Sequence, residues 1–325
     1  MGLTHFPNGV SSYGVPQIGM GGFIPSGGNV YWVHPASTLA SDGNTGLAPD
    51  KPLSTLSQAH TLMTANQNDV AIVVGNSSAS SANVVSETAT LTWSKDLCHI
   101  IGTGYNRISH RVSIRAVTNN FTPLVSVTAD GCVFANFHTF HGYATSEAQI
   151  CWAETGQRNA YYNVHMGGMG AQLAADHADS RVLTLSGDGE RYFSNCTFGL
   201  DTVDRGAANA TIGYLSQAVR DIFEDCYFIM RADTTTPTHI LADTSLIIDR
   251  FQIFKNCNFY NGGTFTGGST PIEVMNVHAS VGGVFIMQGS HFTGFDAWED
   301  VASTRVYVEN AQAAATTGLM VAATT

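Results

Sequence analysis

Six six-residue segments of the chain share one shape and recur about every 32 residues. They are Ala129–Phe134 (ADGCVF), Tyr161–Met166 (YYNVHM), Phe193–Phe198 (FSNCTF), Phe223–Phe228 (FEDCYF), Phe254–Phe259 (FKNCNF) and Met287–Phe292 (MQGSHF). A weaker copy, Lys95–Ile100 (KDLCHI), precedes them. The fourth positions are Cys98, Cys132, Val164, Cys196, Cys226, Cys257 and Ser290, in steps of 30 to 34 residues. Most copies have large apolar groups at positions 1 and 6, and they have a small residue at 4 and, in most, Asn, Asp or Gly at 3. Self-similarity at such a period marks a repeat architecture, in which stacked units bury one continuous core.

Successive side chains of a strand point to opposite faces. Positions 4 and 6 are therefore expected to turn inward, and position 5 (Val133, His165, Thr197, Tyr227, Asn258, His291) outward. Asn, Asp and Gly tolerate the left-handed backbone that a tight bend between two strands requires. Coils stacked at about 4.8 Å would align Cys196, Cys226 and Cys257 in one interior ladder, with Phe198, Phe228, Phe259 and Phe292 in another. A helical solenoid would need a 3.6-residue period sustained over a dozen residues, which segments this rich in Gly, Asn, Thr and Phe do not supply. The pattern predicts an all-β, right-handed parallel β-helix, a solenoid with coils of about 30–34 residues. Only Pro52–Gln67 and Gly206–Ala218 read as short helices, the first of them capping the solenoid. The expected divisions are an arm at 1–28, an amino-terminal cap at 29–90, coils at 91–297, and a carboxy-terminal cap and tail at 298–325.

Charge is scarce: 12% of the 325 residues, with only three lysines (Lys51, Lys95, Lys255). Much of the lateral surface is therefore expected to be covered in an assembly. A net charge of −11 without any basic run argues against nucleic acid as a partner. Five of the six cysteines (98, 132, 196, 226 and 257) share the fourth repeat position, as small core filler would, and Cys151 lies outside the register. No Cys-x-x-Cys pair suggests zinc, and free thiols fit folding in a reducing cytoplasm. No long apolar stretch reads as a membrane span, and the start lacks the pattern of a secretory signal. Synthesis in a host cytoplasm followed by release as part of a virion is the expectation.

Residues 1–28 are rich in Gly, Pro and Ser, with spaced apolar groups, and Pro7, Pro16 and Pro25 exclude a helix. An extended arm that docks on another surface is expected, with Leu3, Phe6, Pro7, Val10, Tyr13, Val15, Pro16 and Ile18 as its contact residues. Folding back along the arm's own β-helix is the alternative. Beyond it, the run NVYWVHPASTLASDGNTGLAPDKPLSTLSQAHTLMTANQNDVAIVVG (Asn29–Gly75) resembles the amino-terminal cap of pectin-lyase-like β-helix proteins. That resemblance implies a strand, a polar loop and a short helix closing one end of the solenoid; it implies fold and not activity. The opening MGLT-FPNGVSS-GVP resembles the start of small structural proteins of tailed bacteriophages, which implies a place on a virion.

Chemistry is sparse. Asp201 and Asp204 leave one corner, and Arg231 and Asp233 leave the next, so Asp201 and Arg231 are expected to stack one rung apart as an ion pair. Glycoside hydrolysis would need two carboxylates roughly 5 to 9 Å apart, and these are the best local candidates. Asp42-Gly43-Asn44 looks like the start of a calcium loop, but Leu53 stands near where its closing Glu would be, and Asx turns are expected instead. His138 and His141 lack a third ligand, while His165 and His291 read as surface groups. Gly167-Gly168-Met169-Gly170 reads as a flexible loop and not a phosphate cradle. Neither a metal nor any cofactor is implied.

Taken together, the expectation is a structural, non-enzymatic phage virion protein of the capsid decoration or cement type. Its arm would bind the major capsid protein and the chain would self-associate as a homotrimer, stabilising capsomer junctions. The alternative is a tailspike or fibre-type protein that binds or depolymerises host surface polysaccharide. In that case exposed aromatics such as Tyr227 and Tyr260 would stack on sugars.

Overall fold

The computed structural model describes residues 11–12, 15–16 and 28–309, apart from 76–83, 105, 109–111, 119–120, 144–147, 235, 243, 246–247, 264–271 and 300–304. Over 28–309 the chain winds as a right-handed parallel β-helix with three parallel sheets, one of ten strands and two of eight. The ten-stranded sheet starts at Val30–Val33, Val70–Val73, His99–Gly102 and Val133–Ala135. It continues through Ala160–Tyr162, Tyr192–Ser194, Asp221–Glu224, Phe251–Lys255, Val284–Gln288 and Val306–Val308. The second sheet runs from Val85–Glu87 to His291–Thr293, and the third from Leu91–Trp93 to Ala297–Glu299.

The recurring hexads are the bends from the ten-stranded sheet into the second. Their third positions are left-handed, with φ of 53° at Asn163, 55° at Asn195 and Asp225, 53° at Asn256 and 57° at Gly289. Only Gly takes this conformation without strain, and Asn and Asp are the side chains that best tolerate it. Asn163 Nδ2 donates to Asn136 Oδ1 at 3.0 Å, and Asn195 Nδ2 to Asn163 Oδ1 at 3.3 Å, so part of the strain is offset by an amide ladder. Where the fourth position is Cys or Ser, its side chain also donates a hydrogen bond. Cys226 Sγ donates to the Phe193 carbonyl, Cys257 Sγ to Phe223 and Ser290 Oγ to Phe254, each the first position of the coil before.

Apolar first and sixth positions stack at the strand spacing. Ring centroids lie 4.6 Å apart for Tyr161 and Phe193, 4.5 Å for Phe193 and Phe223, and 4.6 Å for Phe223 and Phe254. A second ladder runs Phe198, Phe228, Phe259 at 5.0 and 4.5 Å.

Two expectations about the register are corrected. Phe134 pairs with Tyr161 and Ile100, so it is a first position and not a sixth. The true copy in that coil is Phe134-Ala135-Asn136-Phe137-His138-Thr139, with Asn136 left-handed at φ 61° and Phe137 in the fourth place. Cys98 and Cys132 therefore lie before the bend, outside the ladder of Cys196, Cys226 and Cys257. Apolar and acidic residues around each cysteine imitate the hexad in sequence, but inter-coil hydrogen bonds decide the register. The second correction concerns Gly206–Ala218, which contains the strand Ala210–Ser216 and no helix, because its alternating apolar residues Ile212 and Tyr214 face the core.

The amino-terminal helix is Leu56–Leu62, capped by the Thr55 side chain accepting from Gln58 N at 3.1 Å. Asp42 makes no Asx turn: its carboxylate accepts from Ser54 N, Thr55 N and Thr55 Oγ1, tying the loop to the start of that helix. A one-turn helix at Gln172–Ala175, unforeseen in the sequence, follows the glycine loop at 167–170. In the arm, Ser11–Ser12 pairs antiparallel with Val15–Pro16. Of the expected contact residues, Leu3, Phe6, Pro7, Val10, Tyr13 and Ile18 lie outside the described residues, as does the tail after 309. No helix among the described residues is long and apolar enough to cross a membrane.

Arg191, Asp221 and Glu154 are ionisable groups buried together in the core. Arg191 and Asp221, both fully buried, pair at 3.4 Å, and Arg191 Nε also donates to the Gly156 carbonyl at 2.9 Å. Glu154 is fully buried, accepts from Gly156 N at 2.8 Å and Asn159 Nδ2 at 3.1 Å, and meets the Tyr161 hydroxyl. Burial outweighs the attraction of Arg191 and pushes the Glu154 carboxyl up to about 8. Folded protein thus holds a proton there that the unfolded chain releases above about 4.5. By linkage, this group's contribution to stability is complete at low pH and is lost as pH rises from about 4.5 through about 8. Glu154→Gln, which keeps the shape without the titration, is expected to gain stability relative to wild type between pH 5 and pH 8. Urea midpoints across that range check it, and parallel wild-type and variant curves would refute it.

Candidate functional site

The turns from the third sheet back to the ten-stranded sheet carry a polar spine. Asp130 N donates to Asp96 Oδ1 at 3.0 Å, Gln157 N to Asp130 Oδ1 at 2.8 Å, and Gln157 Nε2 to Asp188 Oδ2 at 3.1 Å. Next to Asp188 lies a groove of about 360 Å³, lined by Asp188, Gln217, Val219, Ile248, Asp249 and Gly282. Those residues come from four successive turns, so the groove runs along the solenoid axis for on the order of 14 Å at the usual strand spacing.

Local backbone shapes this opening. Gly189 and Glu190 are left-handed at φ 67° and 60°, and Glu190 N donates to the Val219 carbonyl at 2.6 Å. A Cβ at Gly189 would stand 2.2 Å from that carbonyl oxygen, so only glycine allows the turns to close this tightly. Ala218 bridges to Ile248, and Asp249 N donates to the Ala218 carbonyl at 3.3 Å. Asp249 is thereby held at the rim with 61% of its side chain exposed.

The rim is electrically balanced. Glu190 pairs with Arg158 at 2.7 Å and with Arg220, and Asp249 with Arg250 at 3.4 Å. Of these charged groups, Asp188 and Asp249 line the groove itself. An apolar floor (Val219, Ile248) beside acceptors and an amide suits a ligand with hydroxyl edges and an apolar face.

Of the acidic residues expected as the best catalytic candidates, Asp204 is engaged in an ion pair. A bulge between Gly199 and Asp204 shifts the register, so Arg231 pairs with Asp204 at 2.5 Å and not with Asp201. Asp176, from the one-turn helix, accepts from Gly206 N at 3.0 Å and from Gln172, beside Asp233. These carboxylates brace the long Thr197–Arg205 strand.

One histidine expectation is also corrected, while His291 is exposed as expected. His165 is completely buried, stacked on His138 at 4.5 Å and bonded through Nε2 to the Gly199 carbonyl at 2.9 Å. The outer face of the second sheet is roofed here: Thr197 Oγ1 donates to the Arg107 carbonyl, and the Arg107 guanidinium lies 4.1 Å over the Tyr227 ring. His141 stacks on Phe121 and bonds its carbonyl, apart from the His138–His165 pair. Among the described residues, no three His, Cys, Asp or Glu side chains are grouped to hold a metal. Strongly shifted groups such as Glu154, Asp221 and His239 lie buried in the core, where they serve the fold.

The groove residues were not singled out from the sequence, although a signal existed. Asp96, Asp130, Asp188 and Asp249 each stand four or five residues ahead of a first repeat position (Ile100, Phe134, Phe193, Phe254).

No family model matches this chain, and no curated protein is significantly similar to it. Among solved structures it is similar to pectate lyase Pel9A, with a TM-score of 0.52 and 13% identity over 84% of this chain and 65% of that one. Pectin methylesterase PemA from Erwinia chrysanthemi gives 0.49 and 11% identity over 90% and 92%, and Geobacillus virus E2 ORF18 gives 0.46 and 11% over 79% and 53%. The chain has the pectin-lyase-like β-helix fold. This likeness corrects the expectation of a non-enzymatic chain: pectate lyase Pel9A has the same architecture, so it is one that a carbohydrate-active enzyme uses.

Proposed function

We propose that the chain is a tailed-phage virion protein that holds a host surface polysaccharide in the lateral groove at Asp188, Gln217 and Asp249. One observation carries this reading: the groove runs parallel to the solenoid axis across four turns, a shape suited to a linear polymer. Balanced charge at the rim favours an uncharged or zwitterionic glycan, since a polyanion would meet Asp188 and Asp249 directly. The virion setting rests on the opening residues, and the apolar arm would be the attachment to the particle.

The test is glycan binding and depolymerisation with polysaccharide from candidate hosts, comparing wild type with Asp188→Ala/Asp249→Ala and the groove-filling Gln217→Trp. Each variant is expected to weaken binding at least tenfold while leaving the melting temperature within a few degrees, since these side chains sit on the surface. Binding unchanged in both variants would exclude the groove. Capsid decoration is the second reading, favoured by the apolar arm residues Leu3, Phe6 and Tyr13. Saturable binding to particles stripped of this protein, lost when residues 2–20 are deleted and unaccompanied by glycan binding, would select it.

A further inference from the structure

Six described positions hold a side chain longer than Asn or Asp in the left-handed backbone region: Leu97, Arg158, Met169, Glu190, Gln217 and Arg220. There Cβ crowds the following carbonyl, so each is strained where Gly would not be. In five of them the side chain has a role within the chain. Met169 is buried, and Leu97 lies against Gly131, where an added Cβ would meet Leu97 Cδ2 at 2.7 Å. Glu190 pairs with both Arg158 and Arg220. Gln217, at φ 41°, is the exception: its side chain is exposed and its amide makes no hydrogen bond among the described residues.

Gln217 also lines the groove, and backbone strain that no internal contact offsets is a mark of a residue kept for a ligand. Asp188 and Asp249 lie one turn to either side of it, on the turns that lead into Tyr192–Ser194 and Phe251–Lys255, while Gln217 leads into Asp221–Glu224. At the usual strand spacing each step is about 4.8 Å. The order along the groove is therefore carboxylate, amide, carboxylate. Half-buried Val219 lines the groove two residues after the amide.

On the reading of the groove as a glycan site, we infer that Gln217 selects a sugar bearing an acetamido group. A carboxamide presents an acceptor and a donor side by side. An acetamido group offers the complement: Gln217 Nε2 donates to its carbonyl oxygen while Oε1 accepts from its N–H. A single hydroxyl does not make both bonds in that parallel geometry. The acetamido methyl needs apolar surface beside the amide, and Val219 supplies it. Carboxylates only accept, so Asp188 and Asp249 suit the hydroxyls that flank the acetamido group along the glycan. They also disfavour an anionic sugar, whereas an acetamido group is neutral.

The experiment is saturation-transfer NMR of the full chain with N-acetylglucosamine, N-acetylgalactosamine, glucosamine and glucose at millimolar concentration, repeated with Gln217→Glu and Gln217→Gly. At least one N-acetylated sugar is expected to receive transfer, strongest at its acetyl methyl, and glucose little. Gln217→Glu keeps the shape without the amide donor and is expected to weaken that binding about tenfold, the effect of losing one or two hydrogen bonds. Gln217→Gly is expected to lose the binding too while melting no lower than wild type, because the left-handed strain is gone. Transfer to neither N-acetylated sugar, equal transfer to glucose, or indifference to both substitutions would each overturn the inference. Stronger binding of glucosamine would also overturn it, making the carboxylates the readers. A melting temperature several degrees lower in Gln217→Gly would do so by giving Gln217 a structural role. Host polysaccharide bound in the groove but not displaced by either N-acetylated sugar would sink the acetamido assignment alone. A groove that binds neither polymer nor N-acetylated sugar would remove the glycan reading with it.

Discussion

Arg191→Met is expected to destabilise the protein by about 3 to 5 kcal/mol at pH 7, the usual cost of leaving one member of a buried ion pair alone. Arg191 reaches three coils at once: its Nε bonds the Gly156 carbonyl, Nη2 the Ser186 carbonyl and Nη1 the Asp221 carboxylate. Burial, only partly offset by Arg191, already raises the Asp221 carboxyl to about 6, so without the arginine it would be driven to protonate. Two consequences follow from that chemistry. The loss should shrink at pH 5, where Asp221 is neutral, and Arg191→Met/Asp221→Leu should recover at least half of it at pH 7. Urea unfolding of wild type, single and double variants at both pH values decides the matter. A double variant as unstable as the single one would show that the carbonyl contacts, and not the charge pair, hold the coils.

Phe223→Ala is expected to cost about 3 to 5 kcal/mol, because a large ring is removed from a site with no room to collapse. Phe223 is completely buried, stacked between Phe193 and Phe254 and flanked edgewise by Phe198 at 5.7 Å. The stack would be cut at its middle, losing contacts on both sides as well as buried area. Tyr260→Ala, at a ring 42% exposed on the outer surface, is expected to cost less than about 1 kcal/mol. Thermal unfolding of the two variants checks the contrast, and equal losses would mean that the ladder contributes no more than a surface ring.

Where the sequence could be read correctly, the constraint was local and repeated. Asn195, Asp225 and Asn256 declare the bend because their left-handed backbone excludes most other residues. Phe193, Phe223 and Phe254 declare the core because each must stack on the one before. The same reasoning failed at Cys132, where a similar string sits ahead of the bend and only the pairing of Phe134 with Tyr161 reveals the slip. It failed again at Asp201 and Arg231, since a bulge hands Arg231 to Asp204. His165 looked like a surface group because it alternates outward, but a loop from an earlier coil covers that face.

The sequence by itself determined the solenoid, its period, the bend chemistry and the interior ladders, because each coil meets the same neighbours at the same distance and so demands the same residue types. Only the tertiary structure decided which outer faces are roofed, which carboxylates are tied up in ion pairs, and where a groove opens. Those features arise from residues about 30 or more positions apart, such as Asp188 with Asp249 or Arg107 with Thr197, brought together by loops and bulges that follow no period.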